Sequence, residues 1–165
     1  MSLKHIKNLS LNPYTMSKII QNFIEGYGSP VEFKLLFYVL PIILSKDARA
    51  RLIKARKTSR MDTIFKKKEG YRDYEKLKLS PQSHISGFLE RYSELKDLTK
   101  TVVIILVNEE KISIGNSVIL IKKDNYSKYK NLNINELLRS AFYLGVVFKS
   151  CSIEELEYYL GVRSN

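Results

Sequence analysis

Residues 29–44 read Ser-Pro-Val-Glu-Phe-Lys-Leu-Leu-Phe-Tyr-Val-Leu-Pro-Ile-Ile-Leu, and this stretch decides the fold. After its first two residues, the apolar run is interrupted only by Glu32, Lys34 and Pro41. A helix that is apolar on nearly every face has to be surrounded by other elements. We therefore predict that this stretch forms the central core helix.

The ends of this helix are also predicted from single residues. Ser29 can accept a hydrogen bond from the first free N–H groups, and Pro30 suits the first helical position. Pro41 lacks an N–H, so the helix should kink or end near Leu44. The stretch is too short to span a membrane, which takes about 20 apolar residues.

The composition is that of one folded domain with an unusual charge. The chain has 165 residues, of which 44% are hydrophobic and 27% are charged, and its net charge is +11. Such a charge favours an anionic partner or an acidic protein surface. The first residues lack a continuous apolar segment, so we expect no signal peptide and a cytoplasmic location. The single cysteine, Cys151, is expected to be a buried small residue rather than a nucleophile.

Helix start and stop signals divide the chain into four parts. We predict an N-terminal arm (1–11), a helical core with a winged-helix-like end (12–121), a polar linker (122–131) and C-terminal helices (132–165). Gly161 should end the last helix, and Gly145 inside the preceding one should mark a close contact. The predicted helix caps are Asn12, Asp47 (for a helix to about Lys57), Thr58 or Ser59, Ser80, Asn133 or Asn135, and Ser152.

The predicted core ends in a long helix followed by a hairpin. Helical spacing of apolar residues starts at Ser80-Pro81 and continues into residues 101–107, which are β-branched enough to be a strand instead. We choose the helix. Residues 111–121 are typical of two short strands around Gly115-Asn116. A helix followed at once by a hairpin is how a winged helix ends, although such a hairpin can also simply cover the core.

The order of several short motifs indicates a protein family. They are Asn12-Pro13 with Phe23, Gly26 and Tyr27; Pro30 to Leu44 with Leu40-Pro41; Asp47 to Leu52; Thr58-Ser59; Arg139-Ser-Ala-Phe-Tyr-Leu-Gly145 with Phe148; and Tyr159-Leu-Gly-Val-Arg163. In these residues the chain resembles the middle component of bacterial three-component ABC ATPase systems. That family includes the small middle subunit of Lamassu-type anti-phage and anti-plasmid defence.

This resemblance implies a non-enzymatic adaptor subunit. Such proteins look like partners of an SMC- or Rad50-like ABC ATPase that senses foreign DNA, and of a separate effector, often a nuclease. A free-standing DNA-binding regulator with a winged helix is the alternative. The predicted recognition helix carries few side chains suited to base edges, among them Arg91 and Lys96. This scarcity argues against that alternative.

The basic residues are concentrated between Lys46 and Lys78. This segment holds thirteen Lys or Arg and five Asp or Glu, a local net charge of +8. Because the family's ATPase partner handles DNA, we predict sequence-independent DNA contacts through the assembled complex, although an acidic groove on the ATPase would suit the same charges. The candidate DNA-binding residues are Arg49, Arg51, Lys54, Arg56, Lys57, Arg60, Lys66, Lys67 and Lys68, with Arg49 and Arg56 ranked first.

The C-terminal helices are the least basic part of the chain and are rich in tyrosine. We predict that Tyr143, Tyr158 and Tyr159 help contact the ATPase; the alternative is that they only close the core.

Catalytic patterns are weak in this sequence. The two histidines, His5 and His84, lie far apart in sequence, and neither belongs to a metal-ligand cluster. Gly26-Tyr-Gly28 is too short for a phosphate-binding loop. The adjacent pairs Glu109-Glu110 and Glu154-Glu155 cannot face one another on a helix. We therefore predict neither catalytic residues nor a bound metal or cofactor.

Overall fold

The computed structural model describes residues 11–65, 85 and 87–162, which form helices and one small sheet. The helices are α1 (Pro13–Tyr27), α2 (Leu36–Ile43), α3 (Lys46–Leu52), α4 (Met61–Ile64), α5 (Phe88–Asn108), α6 (Leu132–Lys149) and α7 (Ile153–Leu160). Short 3-10 helices cover Phe33–Leu35 and Tyr126–Lys128, and the strands are β1 (Ile112–Ile114) and β2 (Val118–Leu120). The prediction of a mainly helical single domain with one hairpin is confirmed. Among the described residues, no helix is both long enough and apolar enough to cross a bilayer.

The central stretch is buried as predicted, but its helix starts later. Helix α2 buries seven of its eight residues. It ends at Ile43, close to Leu44, near which Pro41 was predicted to kink or end it. The predicted start at Ser29-Pro30 is wrong. Val31 instead exchanges backbone hydrogen bonds of 2.9 and 2.7 Å with Val118 of β2. This bridge keeps the chain extended, and the helical conformation begins only at Phe33.

Helices α1 and α6 form the most extensive contact of the fold, and glycines lie where they cross. A Cβ atom at Gly145 would overlap the carbonyl oxygen of Phe23 and lie 2.6 Å from the amide nitrogen of Tyr27. A Cβ atom at Gly26 would likewise overlap the carbonyl oxygen of Phe142. The predicted close contact at Gly145 is confirmed, and it is backbone against backbone.

Several predicted caps are confirmed. The Asn12 side chain accepts from the amide of Tyr14 at 2.8 Å, and the Ser152 hydroxyl accepts from the amide of Glu155 at 3.1 Å. Gly161 ends α7 in the left-handed conformation, with φ of 73°. These caps are local, so neighbouring residues suffice to predict them.

Other predicted caps are displaced. Ser45, not Asp47, accepts from the amide of Ala48 and caps α3, which ends at Leu52 rather than near Lys57. Arg60 precedes α4, where Thr58 or Ser59 was predicted as the cap. Asn131 caps α6 instead of the predicted Asn133 or Asn135. Each observed cap lies within a few residues of the predicted one, since several polar residues compete there.

The long helix and the hairpin occur in the predicted order. Residues 101–107 are helical, and β1 pairs with β2 in an antiparallel register in which Ile114 faces Val118. The predicted start at Ser80-Pro81 lies outside the described residues; within them, α5 begins at Phe88. Val31 adds its bridge to the outer edge of β2.

Residues 122–131 are tied to α1 through a buried aspartate. The Asp124 carboxylate accepts hydrogen bonds from Tyr129 at 2.7 Å and from Asn22 at 2.9 Å, and it lies 3.3 Å from the Lys128 ammonium. Burial by itself would raise the pKa of Asp124, but these partners outweigh it and hold the pKa below its ordinary value.

Replacing Asp124 with asparagine should therefore lower stability at neutral pH. The lost charge-assisted hydrogen bonds are worth about 1.5–3 kcal/mol in the free energy of unfolding. Because the folded-state pKa is depressed, the stabilisation is present above the unfolded pKa and is lost as the pH falls through the folded value. Denaturant unfolding between pH 7 and pH 3 checks this, with the exposed Asp97→Asn as the control. A variant whose pH profile runs parallel to that of the parent would contradict it.

A second buried carboxylate fixes α7 to the core. Glu157 accepts a 2.6 Å hydrogen bond from Tyr38 of α2 and lies 3.3 Å from the Lys34 ammonium. Burial and this hydrogen bond raise the pKa of Tyr38 well above its ordinary value, so the tyrosine remains a donor. The opposite face of α7 is therefore held in a defined orientation toward solvent.

Candidate interaction surfaces

Two of the candidate DNA-binding arginines are used within the fold. Arg49 donates a 2.7 Å hydrogen bond to the carbonyl of Ile43 and lies 3.8 Å from Glu136. Arg51 pairs with Asp47 at 3.4 Å and donates to the carbonyl of Ile64. Their side chains are 21% and 16% exposed, which leaves little of either guanidinium for a partner. Arg49 is consequently a weaker candidate for DNA binding than its predicted first rank implies.

Four other candidates lie together on the connection from α3 to α4. Lys54, Arg56, Lys57 and Arg60 are all exposed, and we call these four residues the basic loop. Only Arg60 has an acidic partner among the described residues, Asp62 at 3.6 Å, and both side chains of that pair are 60% exposed. Exposed pairs of this kind are weak and can be exchanged for a phosphate. Lys66, Lys67 and Lys68 lie outside the described residues.

The basic loop is held in place at both ends by α6 and the residue that caps the end of this helix, Ser150. Arg139 of α6 donates to the carbonyls of Ile53 at 2.8 Å and of Ala55 at 3.4 Å. At the other end, the amide of Met61 donates to the Ser150 hydroxyl at 3.1 Å. Ala55 itself is buried. The four cations are therefore presented from an ordered connection.

Replacing Arg139 with alanine should loosen the basic loop without unfolding the domain. The two carbonyls lose their charged donor, and the cation–π contact of Arg139 with Tyr143, at 4.6 Å, is lost with it. We expect faster amide hydrogen exchange in residues 53–60 and a stability loss of about 1–3 kcal/mol. The exposed Arg56→Ala is the control. Unchanged exchange in this segment of the Arg139 variant would show that the clamp does not order the loop.

The three candidate tyrosines lie in two different clusters. Tyr143 is half-buried and packs on Phe142 at 5.2 Å and on Tyr126 at 6.4 Å. Tyr158 is 68% exposed, and its ring centroid lies 6.2 Å from that of the half-buried Tyr159. Of these three residues, Tyr159 packs against the core, Tyr143 packs on neighbouring rings, and Tyr158 is the most exposed and hence the most available to a partner.

Helix α7 borders an open groove of about 390 Å³. Its lining residues are Glu154, Glu155, Tyr158 and Tyr159. Burial, together with the nearby Asp62 carboxylate, raises the pKa of Tyr159. The two glutamates are expected in the first turn of a helix for electrostatic reasons, which is why their sequence signal did not indicate a groove.

Apolar side chains on the hairpin are a feature that sequence reasoning did not single out. Ile119 and Ile121 alternate along β2 and the residue after it, and they are 50% and 59% exposed. Ile104 and Val107, near the end of α5, are exposed as well. A strand with one buried face usually carries polar residues on the other face. The isoleucines on the outer face of β2 could therefore have indicated an exposed apolar surface from the sequence alone.

The described residues offer little for covalent or metal chemistry. Cys151 is half-buried, and burial, with a contribution from Glu155, raises the pKa of its thiol to about 11. A thiol with this pKa stays protonated and is a poor nucleophile at neutral pH. In the part of the chain that is described, no group of three or more His, Cys, Asp or Glu residues is arranged so that it could hold a metal ion.

Comparison with known proteins identifies one family. The family model described as ABC-three component (ABC-3C) system Middle Component 3 matches residues 2–164. No curated protein and no solved structure gives a significant match. The family match covers nearly the full length and includes both the basic loop and the α7 groove.

Proposed function

The chain belongs to the Middle Component 3 family of ABC-three component systems, and from this premise we propose that it is a non-catalytic adaptor. In this proposal it works in the cytoplasm and links an SMC- or Rad50-like ABC ATPase, which senses foreign DNA, to an effector such as a nuclease. The system would serve anti-phage or anti-plasmid defence of the Lamassu type. The observation that carries the proposal is the family match over residues 2–164.

Within this proposal the α7 groove and Tyr158 contact the ATPase. Tyrosine is favoured at protein interfaces, and Tyr158 leaves 68% of its surface exposed. Tyr159 lines the same groove. Tyr143 contributes indirectly, because its ring supports Arg139 and through it the basic loop.

The basic loop contacts DNA held by the assembled complex. Its four exposed cations belong to a chain of net charge +11, and a phosphate backbone is recognised by such charges without regard to sequence. Arg56 and Arg60 are the best candidates, because a guanidinium can grip a phosphate with two hydrogen bonds.

A second candidate function is a free-standing winged-helix regulator. One observation favours it: α5 is followed directly by the hairpin, and Val31 extends the small sheet by one bridge. In such a regulator α5 would read bases in the major groove. A selection experiment that returned a tight sequence motif for the isolated chain would support this function over the adaptor.

The adaptor proposal is tested with purified components. The chain should bind the ABC ATPase encoded beside it, and alone it should neither turn over nucleotide nor cleave DNA. Catalysis by the isolated chain, retained through purification to constant specific activity, would overturn the non-catalytic role. Failure to bind the ATPase under any nucleotide condition would overturn the adaptor role.

A further inference from the structure

We propose that the α7 groove binds a cationic side chain of the ATPase component, arginine in preference to lysine. This inference rests on the proposed adaptor function and deepens it by giving the chemistry of the partner surface. The groove, about 390 Å³ in volume, is lined by two carboxylates and two tyrosine rings. It thus provides the groups that recognise a guanidinium.

The aromatic part of the groove offers a face to a cation. The rings of Tyr158 and Tyr159 stand at 75° to one another, with their centroids 6.2 Å apart. A cation over the face of an aromatic ring is attracted by its quadrupole, and arginine also stacks on the ring through its planar guanidinium. Because Tyr158 is 68% exposed, a side chain from another protein can reach it.

The carboxylates supply the charge. Glu155 partly serves its own helix, since it accepts from the Ser152 hydroxyl at 3.2 Å. The exposed Glu154 makes no hydrogen bond or ion pair within the described part of the chain, so its carboxylate is available. An arginine fork can engage such a carboxylate with two hydrogen bonds.

The charge of this groove is opposite in sign to the net charge of the protein. Among the described residues, its lining holds two acidic and no basic side chains, in a chain whose net charge is +11. A phosphate group would be repelled here, while a basic protein segment would be attracted. Asp62 also lies near Tyr159, but it is paired with Arg60 at 3.6 Å and is not counted in this charge. The groove and the basic loop therefore select different partners.

Contacts on the buried side of α7 fix the orientation of the groove. On the buried side of α7, Glu157 is hydrogen-bonded to Tyr38 at 2.6 Å, and Leu156 and Leu160 are in the core. A site on an anchored helix loses less conformational freedom on binding than a site on a loose terminus. Substitutions on the exposed side can be made without disturbing this anchor.

The first test measures the affinity of the full chain for the ATPase. Glu154→Gln and Tyr158→Ala should each weaken binding several-fold, and Glu154→Arg should weaken it by about tenfold or more. Glu110→Arg, an exposed glutamate at the turn before the hairpin, makes the same charge change elsewhere and should have no effect. Thermal melting confirms that each variant is folded. Wild-type affinity in both Glu154 variants and in Tyr158→Ala would overturn the inference.

The second test does not depend on the ATPase. The isotope-labelled full chain is titrated with a capped pentapeptide that carries one arginine, and with the same peptide carrying the neutral isostere citrulline. Chemical-shift changes confined to residues 153–160, present with arginine and absent with citrulline, support the inference. Equal changes with both peptides, or none with either, overturn it. If the ATPase does not bind at all, the adaptor function fails, and this titration alone decides what the groove binds.

Discussion

Replacing Gly145 with alanine is expected to lower the free energy of unfolding by about 3 kcal/mol or more. The added Cβ atom would overlap the carbonyl oxygen of Phe23 and approach the amide nitrogen of Tyr27 to 2.6 Å. These are backbone atoms of α1, so helices α1 and α6 would have to move apart along the most extensive contact of the fold. Denaturant unfolding of the purified variant measures the loss.

The sign of the effect distinguishes packing from helix propensity. In an open helical site, glycine to alanine stabilises by up to about 1 kcal/mol, so a stabilised Gly145 variant would contradict the crossing. Gly26→Ala should resemble Gly145→Ala, since its Cβ would overlap the carbonyl oxygen of Phe142. Gly115→Ala in the hairpin is the control, because nothing described lies within 4 Å of its Cβ position.

Reversing two charges of the basic loop is expected to cause the largest loss of DNA affinity. The double substitution Arg56→Glu and Arg60→Glu should weaken DNA binding by the assembled complex at least tenfold at low salt. Each phosphate contact releases condensed counterions, so removing two contacts should reduce the slope of log affinity against log salt by about 2. Filter binding or fluorescence anisotropy at several salt concentrations measures both quantities.

Two control pairs make the result specific. Lys123→Glu with Lys130→Glu reverses two exposed charges beyond the hairpin, and this pair should change the slope little. Lys96→Glu with Lys100→Glu reverses exposed charges on α5, the recognition helix of the winged-helix alternative. If the α5 pair abolishes DNA binding while the basic-loop pair does not, the DNA site has been assigned to the wrong face.

Local features of the fold were predictable from neighbouring residues. The caps at Asn12 and Ser152, the end of α2 after Pro41 and the turn at Gly115-Asn116 each depend on a few residues. The late start of α2 was not predictable in this way. Ser29-Pro30 is a sound local start signal, but it is overridden by the bridge of Val31 to Val118, 87 positions along the chain. Long-range strand pairing leaves no trace in a short window.

The candidate surfaces were predictable in composition but not in arrangement. Counting charges located the basic segment, yet it could not show that Arg49 and Arg51 bind carbonyls within the fold. Gly145 indicated a close contact without indicating Phe23 as its partner. The pair Glu154-Glu155 follows the predicted cap Ser152, and only the folded helix places both glutamates beside Tyr158 and Tyr159. Sequence spacing gives the residues of one helix face, whereas the neighbours of that face come from the tertiary fold.

A reconstitution with purified components tests whether this chain joins the ATPase to the effector. The tagged ATPase and the untagged effector are purified together in the presence and absence of the chain. We predict that the effector is recovered with the ATPase only when the chain is present, and that Tyr158→Ala reduces this recovery. Equal recovery of the effector with and without the chain would show that the chain does not join the two proteins.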